Sequence, residues 1–384
     1  MFTVKNRLRA VLWMLALGLL LLLVLICAGI AHHYLGISRL GDAKRALALV
    51  IQPGTDYPDE PAPMACWPWP HATKSIPHAG VTHRIDRSSP DGTILDLFDF
   101  DFRANPNLRL EMYDQDEDDT VPFDDQAEFW ENAVGQVTRH LNDSGRGKVV
   151  AAWNGLFFQY DKGIARHVAP VVLNGKALYN VGTVRWAVGV KYQRKKPIFK
   201  VLRLPPFQIL GREYDFASEG ASCLILNGKP LRLQPFPKPN EDPFPPSKPP
   251  NRGEAGFVRQ VDHIRTSRTS MAWSKDNRHL YLLIVKEPDS ESASIMALKH
   301  RLPLRGGWTV ADEQRFWQEF GAWCAINLDG GDVTQLAAVQ RDGRYDLIPA
   351  HWGNGGERTT VSSDLANAST GGALMYFFIR DTSE

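Results

Sequence analysis

The sequence predicts an α+β fold of mostly antiparallel or mixed β-sheet with a few flanking helices, preceded by one transmembrane helix. Asn-Gly or Asp-Gly pairs separate short apolar runs at 174–175, 227–228 and 342–343, as two-residue hairpin turns do. Helical spacing of apolar residues occurs in two longer segments, and a long uncharged stretch lies near the N-terminus. These patterns indicate a β-rich domain that follows a membrane anchor.

The N-terminal stretch from 10 to 31 carries no charged side chain and, at about 1.5 Å per residue, is long enough to cross a bilayer as a helix. Three cations precede it, so the positive-inside rule predicts a cytoplasmic tail at 1–9. A cleavable signal peptide is the alternative, but its apolar core is usually only about 7 to 15 residues long. We therefore expect a single-pass protein of the inner or plasma membrane whose C-terminal domain is periplasmic or extracellular.

The overall charge excludes few functional classes, and the motifs that the sequence lacks exclude more of them. The 384 residues include 44 basic and 43 acidic side chains, and this net charge of +1 does not favour a nucleic-acid partner. The sequence lacks Gly-x-Ser-x-Gly, His-Glu-x-x-His, a phosphate-binding P-loop and a dinucleotide fingerprint. The commonest hydrolase, nucleotide-binding and dehydrogenase classes are therefore disfavoured.

Changes in composition indicate the domain organisation. Residues 32–89 are rich in proline and histidine without a sustained period, which favours a stalk or an irregular segment. Residues 90–384 form the predicted domain, and a proline-rich insertion at 230–250 interrupts it as an extended surface loop. Long insertions of this kind often border a binding cleft.

The first part of the domain combines a strand with a helix. Alternating apolar residues predict a strand within 92–110, and the acidic segment 111–125 is typical of a solvated loop. Asp124 or Asp125 can cap a helix that runs to about Leu141.

The middle of the domain reads as antiparallel β-structure. Residues 148–158 form an apolar run interrupted at Asn154, whose amide is costly to bury unless it is hydrogen-bonded. Asn154 therefore either pins a turn or reaches a ligand. Residues 262–285 read as two strands around a turn at 276–277.

The last part of the domain places an acid at the end of a buried strand. A capping-box pattern at Thr309 starts a helix, and the apolar run that begins at Cys324 predicts the strand after it. Gly330 and Gly331 follow Asp329, which predicts that the strand ends there. Glycines also allow the backbone to come close to a ligand. A plain Asp-Gly turn is the simpler alternative.

Three segments resemble, in order, the motifs of a known family. They are Asn154-Gly155-Leu156-Phe157-Phe158, Arg268-Thr269-Ser270-Met271-Ala272 and Asn327-Leu328-Asp329-Gly330-Gly331. They are similar to the Asn-Gly-Gly-Phe-Phe, Arg-Thr-Ala-Ile-Gly and Asn-Leu-Asp-Gly-Gly-Gly-Ser motifs of the phosphodiester glycosidase family. The segments 221–229 and 355–358 also resemble parts of that family, so the resemblance spans roughly 148–380.

The resemblance implies the function. Family members remove a sugar from a phosphodiester, and many bacterial members are extracytoplasmic proteins linked to exopolysaccharide. We expect a hydrolase that cleaves a glycosyl phosphodiester in an envelope or exopolysaccharide glycan. The alternative is a catalytically inactive relative that binds polysaccharide or an envelope assembly partner. No cofactor and no metal site is predicted, and the sequence leaves the use of a divalent metal open.

The resemblance also implies the site residues. Asp329 is predicted to act as general acid/base or nucleophile at the anomeric carbon, and Arg268 to clamp the phosphate. Glycine N–H groups in the last motif are expected to meet developing charge, and the amide of the first motif to bond a sugar hydroxyl or a phosphate oxygen. The other predicted substrate-binding residues are Asn154, Gly330, Gly331, Glu357 and Arg358.

Three positions depart from the family motifs. Leu156 and Ala272 replace glycines, and Asp332-Val333 replaces Gly-Ser, so each change is expected to narrow space or add charge near the site. Asp332 is the second predicted catalytic residue. If it lies buried beside Asp329, like-charge repulsion raises the pKa of one carboxyl and gives an acid/base pair, although it could equally repel a phosphate.

Overall fold

The fold is that of a computed structural model, which describes residues 18–19, 69–117, 126–128, 133–161, 164–167, 170–178, 186–203, 213–233, 265–287, 306–350, 358–362 and 373–383. The predicted tail, anchor, stalk and insertion lie outside these ranges, apart from 18–19, 69–89 and 230–233. No helix within the described ranges is long and apolar enough to span a membrane. The described residues from 69 onward belong to one compact unit.

The described chain is mainly β-structure. Its first strands are β1 (Thr73–His78), β2 (Val81–Asp86), β3 (Ile94–Asp101), β4 (Leu108–Asp114), β5 (Gln126–Glu128), β6 (Lys148–Asn154), β7 (Phe158–Asp161), β8 (Ile164–His167), β9 (Val171–Leu173), β10 (Lys176–Leu178), β11 (Trp186–Gln193) and β12 (Lys196–Arg203). The later strands are β13 (Phe216–Leu226), β14 (Lys229–Pro230), β15 (Arg268–Trp273), β16 (His279–Lys286), β17 (Cys324–Asn327), β18 (Leu336–Val339), β19 (Tyr345–Ile348), β20 (Thr359–Val361) and β21 (Met375–Asp381). Two α-helices have described bounds, α1 (Val134–Asp143) and α2 (Val310–Phe320).

Every strand pair formed by the described residues is antiparallel. A large sheet has the order β1-β2-β3-β16-β15-β17-β13-β11-β12, with β9, β10 and β14 attached to its β13 side. A second sheet has the order β20-β19-β18-β6-β21-β4, and β5, β8 and β7 form a small third sheet. The predicted antiparallel α+β class is confirmed.

Local chemistry sets the hairpins. The predicted turns occur where Asn174, Asn227, Asn277 and Gly343 take positive φ angles of 50°, 53°, 56° and 82°. Asparagine and glycine tolerate this left-handed backbone best, which is why these pairs mark the turns between β9 and β10, β13 and β14, β15 and β16, and β18 and β19. The predicted capping box is also present: the Thr309 hydroxyl accepts the N–H of Asp312 at the start of α2.

The core has four layers. The main hydrophobic cluster lies between the two larger sheets, where the rings of Phe100 and Trp153 stack 6.1 Å apart. Helix α2 covers the outer face of the large sheet through Phe316 and Trp317, and α1 covers the outer face of the second sheet. The two sheets therefore pack face to face, and the three resembling segments lie at the ends of their central strands β6, β15 and β17.

Three expectations are corrected. The acidic segment 111–125, expected as a solvated loop, begins within β4, and its Asp114 and Asp116 are completely buried. The described end of the predicted irregular segment 32–89 forms β1 and β2, because these strands complete the edge of the large sheet by pairing onto β3. The helix expected from Asp124 or Asp125 begins only at Val134, and the residues Gln126–Glu128 form β5 instead. Pairing with distant strands decided all three cases, including β4 with β21, whereas the predictions rested on local composition.

Candidate active site

The three resembling segments meet at one corner, formed by the ends of the central strands β6, β15 and β17. Strand β6 of the second sheet ends at Asn154, and β17 of the large sheet leads into Asp329. The Asn154 Nδ2 donates to the main-chain oxygen of Asp329 over 2.8 Å, and the Asp329 N–H donates to the Gly155 oxygen over 3.1 Å. The main chain on both sides of the predicted catalytic acid is thus bound to the opposite sheet.

Asn154 is a junction between four chain segments. Its Oδ1 accepts the Thr269 hydroxyl at 3.0 Å and the Gln335 N–H at 3.0 Å, while its Nδ2 holds Asp329. The side chain is completely buried. These bonds offset the cost of burying an amide and give Asn154 a positioning role at the corner.

The Asp329 carboxylate lies at the surface of this corner. The residue is half-buried, and its Oδ1 accepts the Gly330 N–H at 2.9 Å. This bond fixes the direction of the carboxylate while the residue keeps access to solvent. These bonds hold a half-buried carboxylate in a fixed position, which the predicted role in acid–base or nucleophilic catalysis requires.

The two glycines serve packing. A Cβ atom at Gly330 would lie 2.8 Å from the Ser267 oxygen, so no side chain fits there without moving the backbone. Gly331 has a φ of 63° and donates its N–H to the same oxygen over 2.8 Å. Both N–H groups have protein acceptors: Asp329 Oδ1 accepts that of Gly330, and the Ser267 oxygen just before β15 accepts that of Gly331. The role of these glycines in substrate binding stays a prediction.

Arg268 lies beside the glycines, at the start of β15. Its side chain is 3% exposed, its Nε donates to the Trp308 oxygen over 2.9 Å, and its Cδ lies 3.7 Å from the Cβ position of Gly330. The other arginine of this segment, Arg265, instead donates to Asp91 over 3.0 Å. As the spacing of three along a strand predicts, the two arginines point to different environments.

Arg358 occupies a second junction between the sheets. Its NH1 lies 2.9 Å from both carboxylate oxygens of Asp96 on β3, and its Nε donates to Asp346 on β19 over 2.8 Å. His83 Nε2 lies 2.7 Å from Asp96 on the other side. Burial alone would raise the pKa of Asp96, but Arg358 and His83 outweigh it and lower that pKa. The phosphate-binding role of Arg358 stays a prediction, and Glu357 lies outside the described residues.

The departures from the family motifs lie in different places. Leu156 packs in the main hydrophobic cluster, and Ala272 packs under α2 in the middle of β15. These two side chains fill core space, which differs from the expectation that they narrow the site. The backbone of Asp332 lies in the short 3-10 turn Gly331–Val333, but its side chain is outside the described part, so its catalytic role stays a prediction.

The structure adds residues that the sequence did not single out. Gln335 links Asn154 to α1, because its Oε1 accepts the Val134 N–H at 3.3 Å. The side chains of His167 and Asp114 approach to 2.8 Å in a nearly solvent-free place, where the ends of β8 and β4 meet. No local pattern marks these residues, since their partners lie far away in sequence. No group of three or more His, Cys, Asp or Glu residues in the described ranges is arranged to hold a metal ion.

Comparison with known proteins decides the family. The family model described as phosphodiester glycosidase matches residues 147–364, which is more than half of the chain. The chain belongs to the phosphodiester glycosidase family. The match covers all of the segments that form the corner, and the known proteins of curated collections give no match to the sequence.

The solved structures that match this chain share little sequence identity with it. The catalytic domain of zebrafish N-acetylglucosamine-1-phosphodiester alpha-N-acetylglucosaminidase, auto-inhibited by its pro-peptide, has 13% identity and a TM-score of 0.46, covering 84% of this chain and 87% of that chain. A hypothetical protein from Synechocystis has 12% identity and a TM-score of 0.42, covering 81% and 64%. A putative exported protein from Burkholderia pseudomallei K96243 has 11% identity and a TM-score of 0.43, covering 78% and 74%.

Proposed function

We propose that this protein is an extracytoplasmic hydrolase that cleaves a glycosyl phosphodiester in an envelope or exopolysaccharide glycan, with Asp329 as its catalytic carboxylate. The observation that carries the proposal is the corner itself. Three segments that resemble the family motifs, and that lie far apart in sequence, converge on one half-buried carboxylate whose backbone is bound on both sides. The proposed location outside the cytoplasm rests on the uncharged stretch at 10–31.

The reaction breaks the bond between the anomeric carbon and the phosphate ester oxygen. The electron pair of this bond leaves with the phosphomonoester, and water supplies the new hydroxyl group of the sugar. A phosphomonoester is a weakly basic leaving group, because its second pKa is about 6, so it needs little help from an acid. The greater contribution of Asp329 is then to activate the water or to attack the carbon transiently.

Arg268 supplies the positive charge beside this carboxylate. A guanidinium matches the geometry of a phosphate group better than an ammonium, and it stays charged at any physiological pH. Trp308 orients the Arg268 side chain through its main-chain oxygen, and the Arg268 stem lies next to Gly330. In this proposal Arg268 stabilises the charge that accumulates on the departing phosphate.

The test is hydrolysis of an α-N-acetylglucosamine 1-phosphodiester by the full chain, purified in detergent because of its predicted anchor. In ¹⁸O-labelled water the label is expected on the released sugar, since the carbon–oxygen bond breaks. Asp329→Asn keeps an oxygen that can accept the Gly330 N–H, so we expect it to fold. Its kcat/KM should fall by about 10²- to 10⁴-fold, the usual contribution of general acid–base catalysis.

Asp99→Asn is the matched control, because Asp99 is also a half-buried carboxylate but lies within β3. Its kcat/KM should stay within about twofold of the parent value, since surface changes away from a site have small effects. If the parent protein releases no sugar from any glycosyl phosphodiester, the hydrolase proposal is lost. Equal activity of Asp329→Asn and the parent would remove Asp329 from the mechanism.

A further inference from the structure

A groove runs along the opposite end of the two larger sheets. It consists of two adjoining cavities of about 650 and 660 Å³, which share Pro77 and Arg341 in their walls. Strand β6 connects the two ends, because Lys148 lines the groove and Asn154 lies at the catalytic corner. Seven residues of strand span about 20 Å, so the groove is a separate place on the molecule. We call it the basic groove.

Four cations line this groove. They are Lys74, Lys148, Arg341 and Arg344. Lys74 is exposed and makes no ion pair with the described residues. Arg341 is oriented by a hydrogen bond from its Nε to the Pro77 oxygen over 3.1 Å. Within the described part of the chain, the two terminal nitrogens of Arg341 make no hydrogen bond and no ion pair, so they can bind a ligand.

The carboxylates of the groove have local partners. Asp342 pairs with Arg344 at 2.7 Å, and both lie in the turn between β18 and β19. Asp381 accepts hydrogen bonds from the side chains of Asn105 and Ser383, each at 2.6 Å. Asp342 is therefore neutralised by Arg344, whereas Asp381 keeps its negative charge among neutral donors. With four cations against two carboxylates in its walls, the groove has a net positive charge.

Uncharged groups in the groove suit a sugar polymer. The side-chain amides of Asn107 and Gln340 make no hydrogen bond with the described residues and can bond hydroxyl groups. Ile76, 53% exposed, gives one wall an apolar surface. Each cavity has the volume of a typical ligand pocket, and the two in line fit an extended chain better than a flat surface.

We propose that the basic groove binds a segment of an anionic polysaccharide, with Lys74 and Arg341 pairing with its phosphate or carboxylate groups. Amides and cations side by side match a polymer that carries both hydroxyl groups and negative charges. Bound there, the polymer stays on the protein while another part of it reaches Asp329. This second half of the proposal rests on the proposed function, whereas binding in the groove does not.

The test compares dextran phosphate with dextran, two polymers that share a backbone and differ in charge. In native affinity electrophoresis, the migration of the full chain in detergent should be slowed in gels that contain dextran phosphate and unchanged in gels that contain dextran. Lys74→Ala combined with Arg341→Ala should weaken the apparent affinity for dextran phosphate by about tenfold, because two solvent-exposed charge pairs are lost. Both side chains are exposed, so the variant is expected to fold.

Lys196→Ala combined with Lys200→Ala is the matched control. It removes the same charge from β12, the opposite edge strand of the large sheet, where both side chains are exposed. Its affinity for dextran phosphate should remain within about twofold of the parent value. An equal loss of affinity in both double variants would show that only the net charge matters and would overturn the proposed binding in the groove. A groove variant that binds dextran phosphate as tightly as the parent would overturn it as well.

Two further outcomes separate the proposals. The groove variant should hydrolyse a small sugar 1-phosphodiester at the parent rate. If the parent protein hydrolyses no phosphodiester, the proposed function is lost, and the binding experiment alone then decides whether the groove binds the polymer. Displacement of dextran phosphate by polyglutamate at much lower charge concentration would overturn the glycan assignment in favour of an acidic protein partner.

Discussion

The corner around Asp329 and the basic groove lie at opposite ends of the same strands, and they are built in opposite ways. At the corner, polar groups are buried and bound to one another, as Asn154 is to Asp329 and Thr269. In the groove, Lys74 and Arg341 are exposed, and the amide of Asn107 makes no hydrogen bond with the described residues.

This difference indicates which task each end can perform. Buried hydrogen bonds hold atoms at fixed positions, which chemistry requires and which makes their loss expensive. Exposed cations attract a charged polymer over a distance without fixing it, and their loss costs the fold little. Substitutions at the corner should therefore lower both stability and activity, while those in the groove should alter only binding.

The largest effect is expected from Arg358→Met. The change leaves Asp96 fully buried beside Asp346 without the guanidinium, so the free energy of unfolding should fall by about 3–5 kcal/mol. Arg341→Met in the groove is the matched control and should change it by less than about 0.5 kcal/mol. Urea denaturation of both variants measures this difference, and similar values for the two would break the comparison.

Asn154→Ala should have the next largest effect. It leaves the Thr269 hydroxyl, the Gln335 N–H and the Asp329 oxygen without their partner, for a loss of about 2–4 kcal/mol. Activity should fall further than stability explains, because Asp329 loses one of its two ties to the second sheet. Asn107→Ala, an amide of the groove, should leave thermal unfolding and kcat unchanged; a loss of stability there would contradict the assignment of Asn107 to ligand binding.

Acid should weaken the sheet junction at a predictable pH. The folded pKa of Asp96 is lowered, so its ionised form stabilises the protein above the unfolded carboxyl pKa of about 3.9. That stability is lost as the pH falls through the lower folded value. Thermal unfolding between pH 5 and pH 2 should therefore show a weaker acid dependence in Asp96→Asn than in the parent, and an unchanged slope would refute the role of this carboxylate.

The smallest effect concerns the groove. The Lys74→Ala and Arg341→Ala double variant should unfold within about 0.5 kcal/mol of the parent, since both side chains are exposed. Its residual binding to dextran phosphate should depend less on salt, because screening acts on the charges that were removed. Measurements at 50 and 300 mM salt test this, and parallel salt dependences would place the binding charges elsewhere.

The sequence predicted features that depend on local chemistry. Turns at Asn174 and Asn227 follow from the backbone that asparagine and glycine tolerate, and the helix start at Thr309 follows from its capping pattern. The strand that ends before Asp329 follows from an apolar run and two glycines. The family resemblance then linked three such segments that spacing alone could not join.

Features set by distant pairing were missed. The edge strands β1 and β2 exist because β3 pairs with them, and composition near His78 gave no sign of it. Nothing near Arg358 in sequence indicates its ion pair with Asp96, 262 residues away. The sequence leaves a turn and a ligand open for Asn154, and its hydrogen-bond partner Asp329 lies 175 residues further on.

The double attachment of Asp329 has a mechanical consequence. One sheet carries this acid and the other holds its N–H and its oxygen, so any sliding of the sheets past each other displaces the carboxylate directly. The proposed activity therefore depends on the alignment of the two sheets. Mild denaturants that loosen the contact between the sheets should abolish hydrolysis before they unfold the protein.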